Sequence, residues 1–307
     1  MARPTPSDEV RELFRNLHVW KKRGQRAPNK PLLALWAIGR CIHGQSRLAP
    51  FQLVDKEVGR LIREFGPPRS NIHVDYPFWR LRNDDVWEIP QADKVGVTGR
   101  SGDALKRDLS TLNVLGGFSE GIYNALHEDR ALAEEIGRSL ACAHFPPTRQ
   151  EEVLEAAGIV PGQVLAGRAH QYARDPEFRR VVLDAYNFAC ALCGFAVQIG
   201  GTASECSAPI ALDAAHIKWH QARGPAKVQN GIALCSLHHK LFDYGAFTLT
   251  GGLTVQVAES ARGEGSQEWL WRFADQALPS NLTPDTRPDP AFIGWHHRNV
   301  FRGSAAR

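Results

Sequence analysis

Two pairs of metal-seeking residues mark the second half of the chain. Cys190 and Cys193 are separated by two residues, and so are Cys235 and His238. Ligands at that gap can grip one ion from a tight turn, and Gly194, directly after the first pair, lets the backbone fold back. The four together form a closed Cys₃His set, the coordination of a structural Zn²⁺; Cys206 is an alternative fourth ligand. His239 and Asp243 form a second set. Four residues apart, they share one face of a helix. A carboxylate beside an imidazole can hold a divalent cation: the hard oxygen favours Mg²⁺ or Mn²⁺, and the imidazole also accepts Co²⁺, Ni²⁺ or Zn²⁺. Between the ligand pairs stand His216, in the apolar run LDAAHI, and Asn230, at the head of NGIALC. Histidine titrates near neutral pH, so His216 suits a general base. The Asn230 amide suits fixing the loop that carries His216 and orienting its ring. Phosphodiester hydrolysis needs a base to take a proton from water and a cation to neutralise the charge developing on the leaving oxygen. His296 and His297 are expected at the surface, with packing over the site as the alternative.

In this order the residues resemble the HNH endonuclease family, over roughly residues 174–250. The resemblance implies a strand pair followed by a helix, pinched around metal, with His216 as the first histidine, Asn230 as the asparagine and His239 as the last histidine. Many members carry a metal-ligating Asp, Glu or His immediately before the base, and here that position is Ala215. Either Asp213 substitutes from two residues further back, or the ion leans on His239, Asp243, water and the phosphate.

The first half has a basic, glycine-bearing stretch, KKRGQRAPNK at Lys21–Lys30, and an aromatic one in which Tyr76, Phe78 and Trp79 adjoin Arg80 and Arg82. Arg26, Lys30 and Arg80, with Tyr76 and Trp79 beside them, suit contacts to a DNA backbone. Taken together, RAPNKPLLAL, then YPFWRLRND followed by WEI, then HFPP are similar to the sulfur-binding domain that precedes an HNH domain in type IV restriction enzymes of the McrA type. This resemblance spans about residues 5–147. It implies that the partner is double-stranded DNA carrying a backbone phosphorothioate. An apolar cup at Tyr76–Pro77 would receive the sulfur, and Arg26 would supply charge. Sulfur is larger, softer and a poorer hydrogen-bond acceptor than oxygen. A phosphate oxygen in an apolar cup is stripped of water without a partner, at a cost of about 1–3 kcal/mol. The residues leave other readings open: a reader of methylated bases, a nuclease without modification preference, and a zinc-stabilised DNA-binding module without catalysis, the last favoured by Ala215.

The elements that must position these groups read as an α+β chain, a mixed helix/strand DNA-reading domain followed by a ββα-metal nuclease domain. Ser7 can cap a helix with Val10, Leu13, Phe14, Leu17 and Trp20 on its buried stripe. Pro31 fits the first turn of a second, largely apolar helix. Leu53, Val58, Leu61, Ile62 and Phe65 mark a third, stopped by Gly66-Pro67-Pro68. Tyr76–Leu81 and Val86–Ile89 read as two strands joined by a polar turn, and helical patterns resume near Asp103 and from Ile122 to Phe145. The expected organisation is a reader over residues 1–147, a linker with a short helix over 148–177, and the nuclease with a C-terminal extension over 178–307.

Composition constrains the function loosely. The chain has 307 residues, 43% of them hydrophobic, enough for two cores without staples. A net charge of +4 permits a basic face without requiring a nucleic-acid partner. No apolar run reaches the ~18 residues of a membrane span, and residues 1–10 lack an apolar signal segment. A cytoplasmic protein is expected, and in a reducing compartment clustered cysteines point to metal rather than to disulfides. Cutting both strands with one site per chain suggests a homodimer.

Overall fold

In the computed structural model, the described residues are 6–19, 21–22, 25–99, 101–159, 176–199, 208–279 and 282–303. The chain divides into two compact units, residues 1–167 and 168–307. No described helix is long and apolar enough to cross a membrane.

The first unit is built around one helix. In chain order it contains α1 (Pro6–Arg15), a short hairpin of β1 (Lys21–Lys22) and β2 (Gln25–Arg26), α2 (Asn29–Ile42), β3 (Leu48–Pro50) and α3 (Phe51–Phe65). There follow α4 (Asp75–Arg80), β4 (Trp87–Glu88), α5 (Lys106–Thr111), β5 (Leu115–Phe118), α6 (Glu120–Glu128), α7 (Arg130–His144) and α8 (Pro147–Ala156). Leu32, Leu33, Leu35 and Ile38 of α2 are wholly buried, because α3, α4, α6 and α7 all pack on that helix. A helix apolar on every side is a core helix. The β1–β2 hairpin lies within the expected basic loop.

Residues 76–81 differ from the expected strand. They form α4 and run into a 3₁₀ turn, Leu81–Asp84. Val74, Phe78 and Leu81, at positions i, i+4 and i+7, are the wholly buried set, which is a helical stripe. Pro77 sits in the first turn, where a missing N–H leaves no hydrogen bond unmade. The aromatic residues that favoured a strand reflect the core they fill: Phe78 meets Phe51 and Trp87 edge-on at 5.0 and 5.9 Å. Trp87–Glu88 is a strand, but its partner is β5, in a three-stranded antiparallel sheet of order β3-β5-β4.

The first unit also runs past residue 147. Val153, Leu154 and Ile159 are buried in its core, and a Cβ on Gly39 of α2 would come within 2.0 Å of the Ala157 carbonyl oxygen. That approach is why glycine stands in the middle of a core helix. Residues 147–159 therefore belong to this unit rather than to a linker.

The second unit holds α9 (Pro176–Ala185), the pairs β6 (Gln198–Ile199) with β7 (Ala208–Pro209) and β8 (Leu212–His216) with β9 (Gly231–Cys235), α10 (Ser236–Asp243), β10 (Phe247–Leu249) with β11 (Val255–Val257), α11 (Ser266–Trp269) and α12 (Pro290–Asn299). The β8–β9 ladder is antiparallel, from Leu212↔Cys235 to His216↔Gly231, and α10 follows β9 directly. This is the expected strand pair followed by a helix. Helix α9 packs on both strands. Its approach is close enough that a Cβ on Gly231 would meet a Val182 methyl at 2.2 Å.

Candidate active site and metal centre

The Cys₃His cluster assembles from a turn and a helix start. Cys190 and Cys193 sit in a turn closed by the Gly194 N–H donating to the Cys190 carbonyl at 2.9 Å, with Gly194 at φ +73°. The Ala191 N–H donates to Ala233 O at 2.8 Å and docks this turn on β9. Cys235 ends β9, and His238 lies in the first turn of α10. All four donor atoms fall within 4.8 Å of one another. Cys190 Sγ and Cys235 Sγ are 3.6 and 3.2 Å from His238 Nδ1, and Cys193 Sγ is 4.0 Å from Cys235 Sγ. A tetrahedral zinc with Zn–S near 2.3 Å has ligand–ligand edges of about 3.5–3.8 Å, so the set fits that ion. The other ring nitrogen completes the fit: His238 Nε2–H donates to Trp269 O at 2.8 Å, which turns the Nδ1 lone pair toward the sulfurs. A hydrogen bond from Cys235, followed by one from His238, holds the Cys190 thiol down to about 3 despite its burial. The same bond and burial push Cys235 up, and burial pushes Cys193 up, so one of the three sulfurs is favoured as a thiolate before an ion binds. Cys206 lies outside the described residues.

The second cluster is centred on His239. Helix α10 carries His239 and Asp243 one turn apart, with His239 Nε2 at 3.3 Å from Asp243 Oδ2. From β8, Asp213 Oδ2 lies 3.3 Å from His239 Nδ1. Side chains alternate along a strand, so Asp213 shares its face with Ala215, the position where relatives often carry a ligand. From that face the Asp213 carboxylate reaches α10. Burial alone would push His239 down, but Asp243 first and then Asp213 outweigh it and hold the imidazole up at about 9. The two carboxylates engage opposite ring nitrogens. A cation replacing the proton on one side would keep the second carboxylate as the outer partner of the same imidazole. One imidazole nitrogen with the carboxylate on its own side suits a divalent ion, and the other carboxylate orients the ring from behind.

His216 and Asn230 lie where β8 and β9 part. The Asn230 side chain closes the loop between them: its Oδ1 accepts from Lys218 N at 2.8 Å, and its Nδ2 donates to Lys218 O and Pro225 O at 3.0 and 2.9 Å. The His216 ring lies against Phe178 of α9, with centroids 4.0 Å apart and planes at 22°. Asn230 thus fixes the loop, and Phe178 supplies a wall for the ring.

Two residues, Phe178 and Trp219, were not singled out for this site from the sequence. Phe178 served there only as a domain start. The Trp219 indole N–H donates to Asp243 Oδ1 at 3.0 Å; the signal available was an aromatic residue in the loop just after His216. His296, expected at the surface, is wholly buried. It stacks on Phe242 at 3.8 Å and 5° and its Nε2–H donates to Phe242 O at 3.1 Å. A surface reading fails because α12 packs its His296 side against the second core.

In the first unit a cavity of about 700 Å³ gathers Lys30, Tyr76, Pro77 and Arg80. Tyr76 is 40% exposed and stacks on His73 at 5.0 Å, while Pro77 is buried in the wall. The cations are already engaged. Lys30 pairs with Asp84, and Arg80 holds Asp103 through two bonds of 2.5 and 2.6 Å while lying 5.1 Å from the Tyr76 ring centre. Trp79 is not among the lining residues: it is 5% exposed and its indole N–H donates to Gly102 O. The Arg26 side chain lies outside the described residues.

Residues 7–161 match a family model described as ScoMcrA-like, DNA sulfur-binding domain, and residues 190–250 match one described as HNH endonuclease. No curated protein matches the chain. Among solved structures, the chain is similar to a sulfur binding domain of ScoMcrA complexed with phosphorothioated DNA, at 24% identity, 48% of this chain, 94% of that chain and a TM-score of 0.43. It is similar to the type IV phosphorothioation-dependent restriction endonuclease ScoMcrA at 25% identity over 51% of this chain, but only 28% of that chain, with a TM-score of 0.41. A third similar structure is the modification dependent TagI restriction endonuclease, at 23% identity, 45% of this chain, 42% of that chain and a TM-score of 0.31.

Proposed function

The chain belongs to the family of the ScoMcrA-like DNA sulfur-binding domain and carries an HNH endonuclease domain behind it, and from that premise we propose that it is a modification-dependent restriction endonuclease. The first unit binds double-stranded DNA bearing a phosphorothioate, and the second hydrolyses phosphodiester bonds nearby. The observation that carries this reading is the presence in one chain of the Tyr76–Pro77 cavity, of the loop that Asn230 closes after His216, and of the His239–Asp243 pair.

In this reading His216 takes a proton from the attacking water, and the water oxygen forms the new bond to phosphorus as the bond to the leaving oxygen breaks. Phe178 and the loop closed by Asn230 hold the His216 ring in place. His239 and Asp243 would hold Mg²⁺ or Mn²⁺, with Asp213 bracing the other ring nitrogen of His239, and the ion would neutralise charge on the phosphate and the leaving oxygen. Cys190, Cys193, Cys235 and His238 hold a structural Zn²⁺ that fixes the start of α10. In the first unit Tyr76 and Pro77 provide the apolar wall for sulfur. Lys30, Arg80 and Arg26 supply positive charge, the first two by exchanging a carboxylate for phosphate. Trp79 supports the wall from behind. The protein works in the cytoplasm, and as a homodimer when it cuts both strands.

The test is cleavage of plasmid with and without phosphorothioates, in Mn²⁺ and in chelator, by the wild type and by His216→Ala. The expected outcome is cutting of modified plasmid alone, abolished by chelator and reduced about 10²–10⁴-fold in the variant, with DNA binding and zinc content kept. Equal cutting of both plasmids removes the modification requirement. Near-normal cutting by His216→Ala removes that residue from the mechanism.

A further inference from the structure

Asp243 is buried, with its side chain 2% exposed, and its two oxygens are divided between partners. Oδ2 faces His239, and Oδ1 receives the Trp219 indole N–H at 3.0 Å. Trp219 is the third residue after His216, on the loop closed by Asn230. Its ring packs edge-on against Trp295 of α12, with centroids 5.8 Å apart at 63°. One residue along the same helix, His296 stacks on Phe242 and bonds its carbonyl. Helix α12 therefore bears on residues 242 and 243 by two routes, although it lies outside the residues matched to the HNH family, 190–250.

We propose that Trp219 is a positioning residue of the nuclease site, holding Asp243 in place as a ligand of the divalent ion, and that α12, through Trp295, is part of that site. The inference rests on the reading of His239 and Asp243 as the ion's ligands. A carboxylate rotates about its last side-chain bond, and only one of its oxygens needs to face the ion. A charge-assisted hydrogen bond on the other oxygen selects that rotamer in advance. Outer partners of this kind typically set metal affinity by about 10–100-fold. An indole N–H suits the task because it donates and cannot accept, so it does not compete for the cation. The same bond ties the loop carrying His216 to the helix carrying Asp243.

The experiment is Mn²⁺ binding to the full zinc-loaded chain, followed by electron paramagnetic resonance, for the wild type, Trp219→Phe and Asp243→Ala. Trp219→Phe keeps an aromatic ring and removes the N–H. It is expected to weaken Mn²⁺ about 10-fold or more while zinc content and thermal midpoint hold. Its cleavage should return at high Mn²⁺, so that the metal requirement moves and the maximal rate does not. Wild-type affinity in Trp219→Phe overturns the inference while leaving the ion site standing. Wild-type affinity in Asp243→Ala overturns the reading of the ion site and the inference with it. If Trp219→Phe does not fold, the indole N–H resonances of the ¹⁵N-labelled wild type decide the question. One of them should move with Mg²⁺ and stay still in Asp243→Ala, and if none moves at saturating Mg²⁺ the inference falls.

Discussion

Two histidines in the second unit, both buried, are driven in opposite directions by their neighbours. His239 lies between two carboxylates and is held up at about 9. His296 has no carboxylate among its hydrogen-bond partners, which are Thr248 Oγ1 at 2.8 Å and the Phe242 carbonyl, and burial pushes it down to about 4. Its ring is therefore neutral in the fold, accepting from Thr248 at Nδ1 and donating at Nε2. An unfolded histidine takes a proton below about pH 6.5, so the unfolded chain gains a proton that the folded chain refuses. The stability that His296 contributes is whole above that pH and drains away between about 6.5 and 4, by on the order of 3 kcal/mol in all. His296→Gln removes this titration. Its stability deficit against the wild type, measured by urea unfolding of the second unit, should shrink by about 2 kcal/mol between pH 7 and pH 5. A deficit that stays constant with pH would show that His296 does not titrate in this way.

At the scale of elements, the Cys190–Cys193 turn, β9 and the first turn of α10 are short pieces with little core of their own. The turn is docked by the bond from Ala191 to Ala233, and a zinc held by the four ligands would join it to the end of β9 and the start of α10. Metal binding and folding of so small a module are coupled. Cys193→Ser is expected to lose zinc and to loosen α10, lowering nuclease activity with it. The first unit, with its own core, should keep its DNA binding. Metal analysis together with the two activities checks this: an active, soluble Cys193→Ser protein without zinc would remove the structural role. Helix α9 is a second fixed point, since its contact with Gly231 leaves no room for a side chain. Gly231→Ala should push α9 off the hairpin and disturb Phe178 against His216. The expected result is slower cleavage with zinc content unchanged.

At the scale of the molecule, the proposed function puts selection and cutting in different units, so they should separate under mutation. Pro77 lies in the cavity wall and far along the chain from the nuclease residues. In a His216→Ala background, expected to bind without cutting, Pro77→Ser should mainly erase the preference for phosphorothioate duplex. It puts a hydrogen-bonding group where an oxygen had been left without one, a difference of about 1–3 kcal/mol. Affinity for unmodified duplex should hold or rise slightly. Titrations of both duplexes at two salt concentrations check this, because loss of a phosphate contact would instead flatten the salt dependence for both. A uniform loss of binding would make Pro77 a folding residue, and a preference for methylated duplex would replace the sulfur reading altogether.

The sequence alone determined whatever depends on spacing within one turn or one helix. The gaps from Cys190 to Cys193 and from Cys235 to His238 fix which groups can share an ion. The four-residue step from His239 to Asp243 fixes a common face. These relations are local, and the backbone imposes them whatever the rest of the chain does. Tertiary structure decided what distant segments do to one another. Tyr76–Arg80 is helical because its apolar residues answer to α2 and α3 rather than to their own β-preference. Residues 147–159 join the first core because Gly39 lets them approach. Asp213 meets His239 because α10 packs under the strand face that Ala215 shares. His296 is buried because α12 returns over α10, and Lys30 and Arg80 find carboxylates 54 and 23 residues away. No pattern confined to a short stretch of sequence encodes those encounters, since each depends on where a remote partner comes to rest.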